Sequence, residues 1–271
     1  MRRRAWRLRR RFFAPRLTGA PAWYWYRFAR CAPTALLPDG YAGSATPALS
    51  KLAKQGVVFE NAYANSNWTA AAVASMLTGK RPFSHGLLSY MDSLSPDIPV
   101  IQSVLSENGY ETAAFLAGLP AEAPYGLSRG FGHIHTLFEE ELHAMSRLVP
   151  AAVEWEKSLS PEKDFFMFLH ADDAHSPYRC SPGTYVKNGK FPEANSEFAT
   201  YYNGFPGFDL HKLDLEKWKQ ALSYRGNTAF LSNLSNAYDR CVSRLDKDLA
   251  ALLRKCNEIT DSFHCFTGRI V

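Results

Sequence analysis

The stretch DFFMFLHADD, residues 164 to 173, constrains the fold more than any other part of the chain. Its apolar run is far too short to span a membrane and is bounded by acids, which suits a strand buried on both faces. Such a strand belongs in a mainly parallel sheet with helices on either side, so strands and helices should alternate along the chain. From Asp39 onward they do. ATPALSKLAKQG reads as a helix with Thr46 as N-cap, Pro47 at the first helical position, and Leu49, Leu52 and Ala53 as its buried stripe. VVFENAYA reads as a strand, SNWTAAAVASMLTGKRP as a second helix, IPVIQSVLSENG as a third, and YETAAFLAG as the next strand. ELHAMSRLVPAAVEWEKSLS is helical with a break expected at Pro150. Residues 179 to 226 form a long Gly-, Pro-, Tyr- and Asn-rich excursion. An amphipathic helix follows from about Asn227 to Asn257, with Leu231, Leu234, Tyr238, Cys241, Leu245, Leu249, Leu252 and Cys256 at steps of three and four.

At 271 residues and 46% apolar, the chain can bury one sizeable α/β core. Its net charge of +5 is unevenly spread: residues 1 to 38 carry ten arginines and no acid, which leaves the remainder at −5. The opening MRRRAWRLRRRFFAPRLTG has charge but neither the apolar stretch nor the cleavage site of a secretory signal. Residues 1 to 38 therefore read as a disordered or non-native leader, and residues 39 to 271 as the folded domain. Arginines interleaved with aromatics also suit a nucleic-acid-binding arm, but a leader accounts for the same residues without a nucleic-acid partner. No apolar run is long enough for a transmembrane segment, and without a recognisable signal the expected compartment is the cytoplasm. The five cysteines are odd in number and lack CxxC spacing, which argues against a zinc ribbon or disulfide scaffold and for mostly free thiols.

Chemistry concentrates at Thr69, the mouth of the second helix. A helix N-terminus presents unsatisfied N–H groups and the positive end of the dipole, a ready anion site. A hydroxyl there is well placed to attack a phosphate or sulfate ester once its pKa is lowered, for which a bound divalent cation suffices. Ala70, Ala71 and Ala72 leave room beside it, while Lys80, Arg81 and His85 lie past the helix end. The plainer explanation stays open, since Thr is also a common N-cap.

Several segments in order carry a resemblance. TPALSKLAKQGVVFENAYANSNWTAAAVASMLTGKRPFSHG resembles the start of the sulfatase family, within the alkaline phosphatase superfamily. NGYETAAFLAG and LSRGFGH continue it, FFMFLHADDAHSPY is similar to the family's FLHxxDPHxPY, and NAYDRCVSRLDKDLAALL to its YDxxIxxVDxxLGxLL helix. The resemblance implies an alkaline-phosphatase-like three-layer αβα sandwich with a mostly parallel central sheet. It implies hydrolysis of sulfuric or phosphoric esters, small-molecule or glycan, by metal-dependent attack. Thr69 would be nucleophile and metal ligand, His175 would contact the ester or leaving group, and Lys80 would order the nucleophile helix. His170 and Arg81 would bind substrate. The cofactor would be a divalent cation, Ca²⁺ by resemblance, with Mg²⁺, Mn²⁺ and Zn²⁺ as alternatives. His170 also reads as a hydrogen-bonded structural histidine, and Asp172 and Asp173 as solvated loop acids.

The sequence departs from the family at defined points. Ala71 and Val73 stand where Pro and Arg follow the nucleophile, which disfavours formylglycine maturation and leaves the threonine hydroxyl itself to react. No Asp precedes Asp39 in the stretch before Gly40-Tyr41, and Gly268-Arg269 lies where a further ligand acid is expected. Beyond Thr69 the family's metal ligands are not found. The expectation is a catalytic domain truncated or degenerate at both ends; the alternative to an active hydrolase is a catalytically inactive sulfatase-fold remnant that has lost the metal site.

Overall fold

The computed structural model describes residues 22–28, 46–55, 63–117, 125–137, 144–175, 228–259 and 263–268. Five strands form one sheet: β1 (Ala22–Phe28), β2 (Glu111–Ala117), β3 (His133–Leu137), β4 (Phe165–Ala171) and β5 (Phe263–Gly268). Their order is β3-β2-β4-β1-β5, and all four pairings are parallel. Six helices accompany them among the described residues: α1 (Pro47–Gln55), α2 (Thr69–Thr78), α3 (Pro82–His85), α4 (Ile101–Glu107), α5 (Ala144–Ser158) and α6 (Thr228–Ile259).

β4 is the middle strand, and all seven of its residues are buried. Its period of two sends Phe165, Met167, Leu169 and Ala171 to one face, where they meet α1, α5 and α6. Phe166 and Phe168 go to the other face, against Ala70, Val73, Ala74 and Leu77 of α2, with Ile101 and Leu105 of α4 packed alongside. The result is the expected three-layer αβα arrangement around a parallel sheet.

Three expectations need correction. β1, AWYWYRF, lies inside the segment that its arginines group with the leader, yet it pairs with β4 on one side and β5 on the other. The sheet therefore begins before residue 38; consecutive aromatic side chains have high strand propensity, and this outweighs the basic composition around them. Second, α5 runs unbroken through Pro150. Pro150 is exposed, while Met145, Leu148, Ala152 and Val153 are buried against the sheet, so packing offsets the roughly 3 kcal/mol that an interior proline costs. Third, the reading of the cysteines as mostly free thiols has an exception: Cys241, fully buried on α6, is disulfide-bonded. The strand expected over VVFENAYA falls largely outside the described residues, as do the excursion at 179 to 226 and residues 1 to 21.

Helix starts in this fold are held by carboxylates from elsewhere. Asp246 of α6, 1% exposed, accepts from the N–H of Ala48 through Oδ2 and of Leu49 through Oδ1, both at 2.9 Å. These are orphan donors of α1, so a side chain from far along the sequence supplies acceptors where the cap was assigned to Thr46. The LSRGFGH segment is fixed by similar means. Gln102 Nε2 donates to the carbonyls of Leu127 and Arg129, and the Arg129 guanidinium donates to those of Ser95 and Ile98. Gly130 sits at φ 86°, and a Cβ there would lie 2.2 Å from Ser103 Oγ, so only glycine fits.

Asp246→Ala should leave two buried donors without an acceptor and cost on the order of 3 kcal/mol in urea unfolding at pH 7, with Asp246→Asn costing less. Titration of the unreduced, unfolded chain with a thiol reagent should leave two of the five cysteines unreactive; five reactive thiols would contradict the Cys241 bond.

Candidate active site

Thr69 is the first residue of α2, and the N-cap is Trp68, extended at φ −96° and ψ 130° with no side-chain capping bond. The capping explanation for Thr69 thus falls away. An indole has no acceptor to offer, so the leading N–H groups of α2 and the positive end of its dipole remain at the helix mouth without a side-chain cap from Trp68. The entry is held by backbone: Trp68 N–H donates to Ser66 Oγ at 3.1 Å, and its carbonyl accepts from Ala72 N–H at 3.0 Å. Thr69 is half-buried, and Ala70, Ala71 and Ala72 behind it are buried.

The other end of α2 closes at Gly79, left-handed at φ 67°, whose N–H donates to the Ser75 carbonyl. Lys80 and Arg81 leave the helix here, roughly 14 Å along the axis from Thr69 at the usual rise per residue. That placement suits ordering of the helix through its negative pole, the role resemblance gives Lys80. It does not bring Arg81 to an ester at the helix mouth. His85 curls back instead. Its Nδ1 accepts from Leu87 N–H at 3.1 Å, so the proton of the neutral ring is on Nε2, which faces Ser75 Oγ at 3.1 Å. Burial holds its pKa below the ordinary value, opposed by a backbone bond involving Ala71. His85 is thereby committed to fastening α3 onto α2.

The remaining candidates lie at the C-terminal end of β4, the edge where open parallel sheets carry their sites. His170 is 2% exposed and in register with Leu116 of β2 and Arg27 of β1. The strand's alternation puts it on the face covered by α2, the helix that carries Thr69. His175 follows in a tight turn, its N–H donating to the Asp172 carbonyl at 2.7 Å. Asp173 is not a solvated loop acid. It is 6% exposed, and its Oδ2 accepts from Met145 N–H at 3.0 Å, capping α5. Burial pushes its carboxyl up to about 6, opposed by the Met145 bond and reinforced by the charges of Asp172 and Asp248. The sequence signal for this role is an acid just after a buried strand; its partner, a helix start, lies 28 residues earlier.

A divalent cation needs several convergent donors, and among the described residues no group of three His, Cys, Asp or Glu side chains could hold one. Among the described residues, buried carboxylate oxygens of Asp173, Asp239 and Asp248 lack a partner, and these lie on the β4 loop and α6. The described residues therefore do not fit the metal site that Thr69 was expected to join. A groove of about 570 Å³ runs along α6 past Asp239, Arg240, Arg244, Lys247 and Asp248. It is lined by none of the five candidate site residues, and α6 packs on the sheet face opposite α2.

A parallel sheet with helices on both faces agrees with comparison to known proteins. A profile described as Sulfatase matches residues 38–262. The chain belongs to the sulfatase family. Among solved structures, this sulfatase-family chain is similar to a phosphonate monoester hydrolase of Agrobacterium radiobacter, at 14% identity and a TM-score of 0.64, over 93% of this chain and 62% of that one. A 2-O GAG sulfatase matches at 16% and 0.64, over 92% and 57%. The zinc complex of the C-terminal periplasmic domain of EcEptC from Escherichia coli matches at 15% and 0.57, over 93% and 63%. At such identities the likeness is one of fold, and the chain spans about three-fifths of the length of these structures. No match was found among curated proteins. No helix among the described residues is long and apolar enough to cross a membrane.

An acid whose pKa rises on folding takes up a proton as the chain folds. Asp173 thus favours the fold at low pH, and that contribution is lost as the pH climbs from about 4 to about 6. Asp173→Asn keeps an acceptor for Met145 N–H and should be more stable than the parent at pH 8, with the gap narrowing below pH 6. Urea unfolding at pH 5 and pH 8 checks this; an equal gap at both would show that the carboxyl does not titrate in that window.

Proposed function

We propose that this sulfatase-family chain hydrolyses sulfuric or phosphoric esters, with the Thr69 hydroxyl as the attacking group. What carries the reading is the mouth of α2: a half-buried threonine at its first position, behind an N-cap that supplies no acceptor. The helix N–H groups would bind the non-bridging oxygens of the ester. Thr69 Oγ would then attack sulfur or phosphorus, its proton passing to solvent water as the bond to the leaving alcohol breaks. His175, at the end of the central strand, would donate a proton to that alcohol oxygen, and water would release the anion from Thr69 in a second step. His170, on the α2 face of the sheet, would border the anion. Lys80 would order α2 from its far end.

Metal dependence is general in the family, and Ca²⁺, Mg²⁺, Mn²⁺ and Zn²⁺ are the cations to supply. The described residues assemble no donor set for such a cation, and the proposed steps run through protein groups and water alone. The substrates proposed are small-molecule or glycan esters, in keeping with neighbours described as a GAG sulfatase and as a complex with glucosamine-2-N, 6-O-disulfate. Residues 39 to 271 are proposed as a single catalytic domain, with β1 added from the segment before it.

The purified chain, supplied with each of the four cations, is expected to cleave 4-nitrophenyl sulfate or phosphate. Thr69→Ala should reduce the rate at least a hundredfold, with the thermal unfolding temperature changed by no more than a few degrees. Equal turnover in that variant would refute the assignment, and absence of turnover with every cation would favour the non-catalytic reading.

A further inference from the structure

An aromatic cluster stands at the mouth of α2 and has no part in the chemistry above. Trp68, the residue before Thr69, packs its half-buried ring against the core between α2 and the sheet. Tyr125 meets that ring edge-on at 5.7 Å, and its backbone carbonyl is held by Leu94 N–H at 2.9 Å. Tyr90 covers the ring from the outer side, with centroids 4.8 Å apart and planes tilted by 56°. Tyr90 is nevertheless 75% exposed, so most of its own surface faces water.

The segment that presents Tyr90 is fixed at both ends. Behind it, His85 fastens the chain to Ser75 in the second half of α2. Ahead of it, Asp92 Oδ2 accepts from the N–H groups of Leu88 at 3.0 Å and Ser89 at 2.7 Å, while Met91 N–H donates to Ser89 Oγ. Those backbone bonds, Leu88 first, hold the Asp92 carboxyl below the usual carboxylate range, so the turn keeps this form through neutral pH. A bare aromatic ring on a turn ordered in advance loses little freedom when it stacks on a ligand. Exposed Met91 and Leu88 extend the apolar surface around it.

We propose that Trp68, Tyr90 and Tyr125 form a ring-binding subsite that sets substrate preference. The open face of Tyr90 receives the apolar face of an aryl or sugar ring, and the anionic group of that ester lies at the N-terminus of α2. This rests on the reading of that helix mouth as the anion site. Aryl and pyranose rings share the required chemistry, a flat apolar face one bond or two from the anion, and a small alkyl ester lacks it.

Sulfonates, whose carbon–sulfur bond is not an ester bond, test the subsite apart from turnover. Calorimetric titration of the full chain should show benzenesulfonate or 6-deoxy-6-sulfoglucose binding roughly two- to tenfold more tightly than methanesulfonate. The ring with the larger advantage identifies the class. Tyr90→Ala should remove that advantage while leaving methanesulfonate affinity and thermal unfolding unchanged, and Tyr90→Phe should retain it. A ring advantage that survives in Tyr90→Ala, or none in the parent chain, overturns the subsite and leaves the reading of Thr69 standing. Failure of all three sulfonates to bind overturns the anion site, and the subsite with it.

Discussion

The exclusion of water from both faces of β4 governs the rest of this architecture. Seven consecutive buried residues cannot be covered from one side, so the chain must lay helices over each face and bring partner strands to each edge. α2 is one of those covering helices, and its run of alanines lets it approach the two phenylalanines beneath closely. Thr69 is therefore carried by an element that the core itself holds in place. The candidate hydroxyl is positioned by packing, with the polar contacts at the helix entry as a secondary support.

Buried carboxylates do the remaining positioning. Asp246 ties the start of α1 to α6, and Asp173 ties the start of α5 to the loop that carries His175. Both pay a desolvation cost that burial imposes on their charged forms, and both recover part of it through backbone donors. In each case one acid replaces a cap that local sequence would otherwise have to provide. The candidate histidine loop is thereby coupled to α5 through a single carboxylate oxygen.

Much of this is legible in the chain, and the parts that are not share a cause. β4, α2 and the long α6 announce themselves through local periodicity, because burial there is decided by neighbours three, four or two residues away. LSRGFGH was legible only as a resemblance, and the crowding of Gly130 shows in the structure alone. By contrast, the cap on α1 comes from a residue 198 positions distant, and no local pattern encodes it. β1 was hidden by composition: its aromatic run sits among arginines that suggest a leader. The cluster of Trp68 with Tyr90 and Tyr125 was illegible for the same reason as the cap, since only the return of the chain past α2 brings those rings together.

The place of β1 has a consequence for how the molecule is made. Ala22 lies in register with Phe165 on one side and Phe263 on the other, so β1, the earliest of the described strands, has no partner until β4 has followed and no second partner until β5 has. Pairings that distant in sequence close slowly, and an unpaired aromatic strand is prone to associate with other chains while it waits. Synthesis therefore passes through a long interval in which β1 waits for the strands on either side of it, and association during that interval competes with completion of the sheet.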